Sequence, residues 1–302
     1  MATKKSNADG LSVIEARQYI DEFNSHSNHS EDEEFFFIEA LEFLIAEENR
    51  PEDMMQLGGY YYEQKRFDLA LKYYEMAASY GLDEADEGLG YIWYYGRCGE
   101  RDYEKAFYHY SRSMERGNLT CTYKVADMYK NGYYVEKDYE KYISIIEGLY
   151  PRIKHARNLW DPLPEVYTRL ARIRTEQGNT QEAVKLYVAA KDFLAQRISY
   201  QPYFGNLNIM KWLIDDLYQL IPFDQKSFDF YDLYFLLKNP VKVRFSYFGE
   251  EQVLEAVPED GICAVHFNDK WYRDRDDFFG KACVDNERLT AVYDLLEGFE
   301  VI

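Results

Sequence analysis

The sequence predicts a mainly helical repeat protein of about two domains, with a small α+β module at its C-terminal end. Three observations support this fold class. Residues recur at a spacing of 36 in the first half of the chain, each recurring unit has the apolar spacing of paired helices, and an alternation typical of strands begins after Pro240. A chain of 302 residues is long enough to bury a core without disulfides or a structural metal.

The composition excludes several classes of protein. Lys and Arg number 35 against 54 Asp and Glu, and the resulting charge of −19 repels phosphate backbones and anionic lipids. We therefore expect neither a nucleic-acid nor a membrane partner. Four dispersed cysteines without a C-x-x-C pair argue against a disulfide scaffold and a zinc ribbon. Neither a signal peptide nor an apolar run of membrane-spanning length is recognisable, which predicts a cytoplasmic protein.

The N-terminal elements are predicted to be two helices within residues 11–49 that close one end of the repeat stack. Ser30 and Glu33 form a capping-box pattern ahead of the apolar run FFFIEALEFLIAEE. His26 and His29, with Asp32 nearby, have the residue types of a metal site, but a polar loop is the favoured interpretation. No metal ligands are therefore predicted.

The repeat region follows, and a single repeat shows the pattern of two helices joined by a turn. Leu89, Ile92 and Trp93 have helical spacing, Gly96 suits the residue just past that helix, and Asp102 suits the N-cap of the next helix. Gly90 is predicted to lie at a close contact between helices. The positions that recur 36 residues later include Ala70, Tyr74, Gly81, Leu89, Gly96, Asp102, Tyr103 and Lys105.

These motifs resemble the Sel1-like repeats, which are related to tetratricopeptide repeats. The resemblance rests on Leu57, Gly58, Tyr61, Ala70, Tyr74 and Gly81 in one unit, Leu89, Gly90, Trp93, Gly96, Asp102, Tyr103, Ala106, Tyr110 and Gly117 in the next, and Met128, Tyr129, Gly132, Asp138, Tyr139 and Lys141 in the third. It implies a right-handed α-solenoid over about residues 50–150. The third unit departs at Tyr142, and we expect Gly148 to Pro151 to break its second helix.

The second half continues with helices and then changes period. A tetratricopeptide-like helix pair is predicted at about residues 160–200, and closing helices at 206–239 end at Asn239-Pro240. The solenoid domain is thus predicted to span residues 1–239. Residues 240–302 are predicted to form the α+β domain, with strands at 241–247, 252–257, 262–267 and 270–272 and a helix from about 285 to 298.

The α+β domain holds the one enzyme-like cluster of the sequence. Cys263 and His266 lie three residues apart, and Asp274, Asp276 and Asp277 follow. On an alternating strand the first two side chains point to opposite faces, which argues against a nucleophile and base pair. The favoured interpretation is structural, with Asp276 or Asp277 capping the FFGKA helix. We predict no catalytic residues and no cofactor.

The functional surface implied by the resemblance is the concave face of the solenoid, lined by the first helix of each unit. The positions left after the packing residues are removed are Met55, Tyr62, Glu87, Tyr91, Tyr94, Tyr123, Asp127 and Lys130. Tyrosines among carboxylates suit a peptide with basic and apolar side chains. The sequence therefore predicts a non-enzymatic scaffold that binds a protein or peptide of basic character. An enzyme or metal site in the α+β domain, or a self-associating structural protein, are the alternatives, and the tyrosines are otherwise packing residues.

Overall fold

The structure is a computed structural model that describes residues 11–26 and 29–302. The start of the chain, on which the signal-peptide prediction partly falls, lies outside the described residues. Two compact units divide the chain, residues 1–145 and 146–302. The helices are α1 (Val13–Asn24), α2 (Glu31–Glu48), α3 (Pro51–Glu63), α4 (Phe67–Ser79), α5 (Ala85–Tyr95), α6 (Tyr103–Glu115), α7 (Leu119–Asn131), α8 (Tyr139–Ile153), α9 (Leu163–Glu176), α10 (Thr180–Tyr200), α11 (Phe204–Leu220), α12 (Leu233–Leu236) and α13 (Arg275–Lys281).

The first two helices begin with the same local device. The Ser30 hydroxyl accepts a hydrogen bond from the Glu33 backbone N–H, and the Glu33 carboxylate accepts one from the Ser30 backbone N–H, so the predicted capping box is confirmed. Ser12 and Glu15 form a second box that the sequence analysis missed. In the loop between the helices, His29 stacks on Phe23 with ring centroids 3.6 Å apart. His29 thus packs against α1 from the loop that follows it.

The predicted helix pairs α3 with α4 and α5 with α6 are confirmed, and Lys141 at the start of α8 donates to the Tyr129 hydroxyl of α7 at 2.8 Å. Successive helices from α1 to α7 are in contact with each other. Gly96 adopts a φ of 62°, which favours glycine, and ends α5 as predicted. Asp102 caps α6, because its side chain accepts a hydrogen bond from the Lys105 backbone N–H at 3.0 Å. The helix-pair architecture implied by the Sel1-like motifs is therefore present.

Glycines of the odd-numbered helices make room for tyrosines of the even-numbered ones. A Cβ on Gly58 of α3 or on Gly88 of α5 would approach the ring of Tyr74 to 2.7 or 2.6 Å, so this ring lies against both helices. A Cβ on Gly90 would come within 2.3 Å of Tyr110, which is fully buried. The predicted close contact at Gly90 is confirmed, and α3 and α5 lie on the same side of the unit.

The expectation that Gly148 to Pro151 breaks a helix is wrong. Helix α8 continues to Ile153 with Pro151 inside it. Proline removes one backbone N–H, but near a helix end that loss costs a single bond, and the Lys154 N–H still bonds the Tyr150 carbonyl at 2.9 Å. Leu149 and Ile153 are both about fully buried, which favours keeping this last turn helical.

In the second unit, α9 and α10 form the predicted tetratricopeptide-like pair, joined at Gly178 and Asn179. The side chain of Asn179 caps α10. The closing helices are shorter than predicted, because after α11 only a 3₁₀ turn at Phe230–Asp232 and the four-residue α12 follow. Pro222 accounts for this difference, since Ile221 before it is extended, with φ −128° and ψ 147°.

A five-stranded antiparallel sheet follows, in the order β4-β3-β2-β1-β7. Its strands are β1 (Val241–Tyr247), β2 (Glu250–Glu259), β3 (Ile262–Phe267), β4 (Lys270–Tyr272) and β7 (Leu296–Val301), and β5 (Cys283–Val284) pairs with β6 (Glu287–Arg288) in a separate hairpin. The four predicted strands are confirmed, and β2 is longer than expected. The sheet buries the face that carries Val243, Phe245 and Leu254.

The predicted helix at about 285–298 is wrong, since these residues form β6, a 3₁₀ turn at Tyr293–Leu295 and the start of β7. The free edge of β1 accepts β7, which places Leu296 opposite Tyr247 and stacks Phe299 on Phe245 at 5.1 Å. Long-range strand pairing thus overrides a helical spacing of apolar residues. The cap of α13 is also corrected, because Asp274 accepts from the Asp277 N–H at 2.8 Å, and Asp276 and Asp277 lie in the first turn.

The sheet module packs against the preceding helices, as the number of its large apolar side chains indicates. Phe279 of α13 stacks on Tyr234 of α12 at 3.6 Å, and the Arg275 guanidinium pairs with Asp215 of α11 at 3.1 Å. The module therefore shares one compact unit with α9 to α12, whereas the sequence placed a domain boundary at 239/240. Among the described helices, none has both the length and the apolar character needed to cross a bilayer.

Candidate functional site

An aromatic strip lies on odd-numbered helices of the first compact unit, residues 1–145. It consists of Tyr62 of α3, Tyr91, Tyr94 and Tyr95 of α5, and Tyr123 of α7. The ring centroids of Tyr62 and Tyr91 are 6.1 Å apart, and Tyr91 stacks on Tyr95 at 6.0 Å. The Tyr94 ring meets the Tyr95 ring edge-on at 4.9 Å. The rings of α3 and α5 are therefore in direct contact.

Local hydrogen bonds fix α7 beside α5. Asn118 caps α7, because its side-chain oxygen accepts from the Cys121 backbone N–H at 2.8 Å. The amide nitrogen of the same side chain donates to the Glu87 carboxylate of α5 at 2.7 Å. One residue thus begins a helix and joins it to the neighbouring unit, which sets how the tyrosines of α5 face the side chains of α7.

The eight predicted site residues lie on α3, α5 and α7, and they differ in exposure. Tyr62 and Tyr123 are buried, with 7% and 3% of their surface exposed, so they support the strip from beneath. The other six are half-buried: Met55, Glu87, Tyr91, Tyr94, Asp127 and Lys130. Lys130 lies over the Tyr142 ring at 5.1 Å. Tyr91 and Tyr94 are therefore the predicted tyrosines that reach the surface.

Sequence reasoning missed Tyr95 and two cations that lie on the strip. Tyr95 is 37% exposed. Arg97 follows the left-handed Gly96, and its Nε donates to the Tyr62 hydroxyl at 3.2 Å while its guanidinium lies over Tyr95 at 4.8 Å. Lys124 stands 36 residues after Gly88, and its Nζ lies over Tyr95 at 4.9 Å. The sequence signal that could have indicated this contact is a lysine at the position where the preceding repeat has glycine.

Burial raises the pKa of two tyrosines of this region, Tyr91 and Tyr110. It raises the pKa of Tyr91 well above the ordinary value, and carboxylate and phenol neighbours add to the effect. Burial likewise raises the pKa of Tyr110, whose ring lies beneath Tyr91 and Tyr94 at 6.0 Å from each. Tyr91 therefore offers its ring face and hydroxyl group rather than phenolate charge.

The enzyme-like cluster of the second unit does not assemble. Cys263 is buried and its thiol contacts the Lys238 carbonyl at 3.6 Å, whereas His266 packs on Trp271 at 4.8 Å. The two side chains lie on opposite faces of β3, as the alternation predicts. The aspartates have structural partners: Asp274 caps α13, Asp276 binds Lys211 at 2.6 Å, and Asp277 binds Lys281 at 2.6 Å.

An open cleft of about 500 Å³ lies near the β4 edge of the sheet. Trp271 and Arg273 line one side of it, and Val257, Pro258 and Glu259 of β2 line another. Neither Cys263 nor His266 lines this cleft. The two residue types that suggest chemistry in this module therefore do not meet in its cleft.

Comparison with known proteins finds similar solved structures, among them the following two. No family profile and no curated protein matches the chain. The structure of a Sel1 repeat protein from Oxalobacter formigenes is 18% identical, with a TM-score of 0.44 over 68% of this chain and 89% of that chain. A protective antigen of uropathogenic Escherichia coli strains, with an SLR fold, is 18% identical, with a TM-score of 0.39 over 62% of this chain and 46% of that chain. The first description names the repeat class that the sequence motifs resemble.

Proposed function

We propose that the chain is a non-enzymatic scaffold that binds a protein segment on the aromatic strip of residues 50–145. The observation that carries the proposal is the ring contact between Tyr62 of α3 and the tyrosines of α5, two of which are half-buried and one of which is exposed. Repeat proteins of stacked helix pairs use such extended faces to bind partners. Half-buried tyrosines such as Tyr91 and Tyr94 provide rigid contact area at a low entropic cost, which is why tyrosine is enriched among binding hot spots.

The charge of this unit favours a partner segment of basic character. Residues 1–145 contain 29 Asp and Glu against 16 Lys and Arg, which leaves them at −13. Glu31, Asp32, Glu33 and Glu34 form one acidic run at the start of α2. Long-range attraction of this sign accelerates encounter with cationic segments and is weakened by salt. A cytoplasmic location is part of the same proposal.

The test is a display library of short peptides selected on the full-length protein, followed by affinity measurement with variants. Replacing Tyr91 and Tyr94 together by Ala should weaken the selected peptide by about 30-fold, equivalent to about 2 kcal/mol. Glu87→Gln should weaken it less, because the ring contacts are the larger part of the interface. Tyr134→Ala is the matched control, since Tyr134 is 57% exposed and is not part of the strip.

Two outcomes would oppose the proposal. Unchanged affinity in the double tyrosine variant, with an unchanged melting temperature, would remove the strip from the interface. The second outcome is a solution mass that shows a stable oligomer. If the same variant abolishes this oligomer, the strip serves self-association instead. Raising the salt from 0.1 to 1 M should weaken a basic peptide, because the Debye length falls from about 10 to about 3 Å.

A further inference from the structure

Lys124 is a buried cation with an unusual set of neighbours. Only 5% of its surface is exposed. Its Nζ donates a hydrogen bond to the Tyr95 hydroxyl at 2.8 Å, and within the described part of the chain no ion pair with a carboxylate accompanies it. Lys191, which is buried to a similar degree, pairs with Asp232 at 2.6 Å and Asp229 at 2.7 Å. Buried charges are normally paired in this second way, so the position of Lys124 requires another source of stabilisation.

That source is a tyrosine cage formed by Tyr91, Tyr94, Tyr95 and Tyr123. The Lys124 Nζ lies 4.8 Å from the centroid of Tyr91, 4.9 Å from Tyr95, 5.4 Å from Tyr94 and 5.5 Å from Tyr123. All four distances are within the range in which the negative face of a ring attracts a cation. An ammonium group has three donors, and this one uses a single conventional acceptor.

We infer that the tyrosine cage is a binding site for an alkylammonium or guanidinium side chain, and that Lys124 closes this site in the unbound protein. The inference rests on the proposed function, since it names what the aromatic strip recognises. A lysine or arginine of a basic partner enters the cage as Lys124 leaves it. Tyr95, which is 37% exposed, forms the wall of the cage nearest to solvent.

The exchange is physically balanced. One cation replaces another over the same rings, while the flexible four-carbon stem lets Lys124 move its ammonium into water. No new charge is buried. The self-occupied state lowers the affinity for a partner by the fraction of molecules in which the cage is open. A partner must therefore make further contacts along the strip, which would restrict binding to segments that fit more than the cage.

The first experiment uses n-butylammonium, which reproduces a lysine side chain, as the probe. Lys124→Ala empties the cage and should bind n-butylammonium on the order of tenfold more tightly than the wild type does, as measured by saturation-transfer NMR. Lys105→Ala is the matched control, because Lys105 lies over the single ring of Trp93 at 3.9 Å with a half-exposed side chain. n-Butanol tests whether the empty space merely accepts an apolar chain.

The inference is overturned if Lys124→Ala binds n-butylammonium no better than Lys105→Ala, or binds n-butanol equally well. A second measurement does not depend on the folding of that variant. In the wild type, acetylation by an amine-reactive ester followed by mass spectrometry should be about tenfold slower at Lys124 than at Lys105. Tyr95→Leu should accelerate acetylation of Lys124 and leave Lys191 protected. Equal rates at Lys124 and Lys105 in the wild type would show that the cage is not closed.

The two proposals fail separately. If Lys124→Ala binds n-butylammonium but no selected peptide depends on Tyr91 and Tyr94, the cage exists and the proposed scaffold function is wrong. If the peptides depend on the strip but Lys124→Ala takes up no ammonium ion, the strip binds partners without a cation site.

Discussion

Gly90→Ala is expected to destabilise the first unit, although alanine is the better helix former. The added Cβ would lie 2.3 Å from Cε1 and 2.4 Å from Cδ1 of Tyr110, whereas ordinary contacts begin at 3.4 Å. The ring must therefore move by about 1.1 Å, and it is fully buried between α5, α6 and α7. Overpacking of this kind costs about 1–3 kcal/mol, and the gain in helix propensity offsets about 1 kcal/mol of it.

Gly59→Ala is the matched control for this substitution. Gly59 lies in α3, and a Cβ there meets no atom within 4 Å. It should stabilise by about 0.5–1 kcal/mol, because only the loss of backbone freedom in the unfolded chain changes. The difference between the two variants, about 1–3 kcal/mol, isolates the contact with Tyr110, because the gain in helix propensity is common to both. Urea unfolding followed by far-ultraviolet circular dichroism measures both midpoints.

A double-mutant cycle with Tyr110→Leu links the loss to the ring itself. A smaller side chain should remove most of the penalty of Gly90→Ala, which gives a coupling energy of at least about 1 kcal/mol. If Gly90→Ala proves as stable as Gly59→Ala, the Tyr110 ring moves away without cost. The argument that glycine–tyrosine contacts set the spacing of α5 and α6 would then be refuted.

Four other predictions follow from the contacts and burial described above. Lys191→Met should cost about 3 kcal/mol in the free energy of unfolding, because it leaves the buried carboxylate of Asp232 without its cation; the exposed Lys185→Met on the same helix should cost almost nothing, and equal losses would contradict the prediction. Burial raises the pKa of Cys121 to about 12, so iodoacetamide at pH 8 should modify the exposed Cys98 but not Cys121 in the folded protein. Because the pKa is raised in the folded protein, the stability that the neutral Cys121 thiol contributes is present below its unfolded pKa of about 8.5 and is lost as the pH rises toward 12. Unfolding midpoints at pH 8 and pH 10.5, compared with those of Cys121→Ala, measure this loss. Residues 240–302 expressed alone should unfold without a cooperative transition, because they lose the stacking of Phe279 on Tyr234 and the pairing of Arg275 with Asp215; independent folding at the melting temperature of the intact chain would oppose this.

The sequence alone determined the elements that depend on local signals. The period of 36 located the helix pairs, because each unit repeats the same apolar spacing and the same caps at Gly96 and Asp102. The alternation of apolar and polar residues located the four strands from Val241 to Tyr272, because this pattern is also local. It also placed Cys263 and His266 on opposite faces of one strand. The register shared between repeats predicted that equivalent positions of α3, α5 and α7 lie side by side, and the rings of Tyr62 and Tyr91 are in contact.

The tertiary structure decided what depends on partners distant in sequence. Residues 289–296 have helical spacing, but the open edge of β1 holds Leu296–Val301 as a strand, and no local pattern reveals that edge. Asp274 rather than Asp276 or Asp277 caps α13, because the helix begins at Arg275, two or three residues earlier than the predicted caps imply. Above all, sequence could assign tyrosines to a strip but not their neighbours. Only the packing of α7 on α5 brings Lys124 over rings that are about 30 residues away in sequence. The long, flexible lysine side chain can reach several directions, so its contacts depend on the neighbouring helices and not on the local sequence.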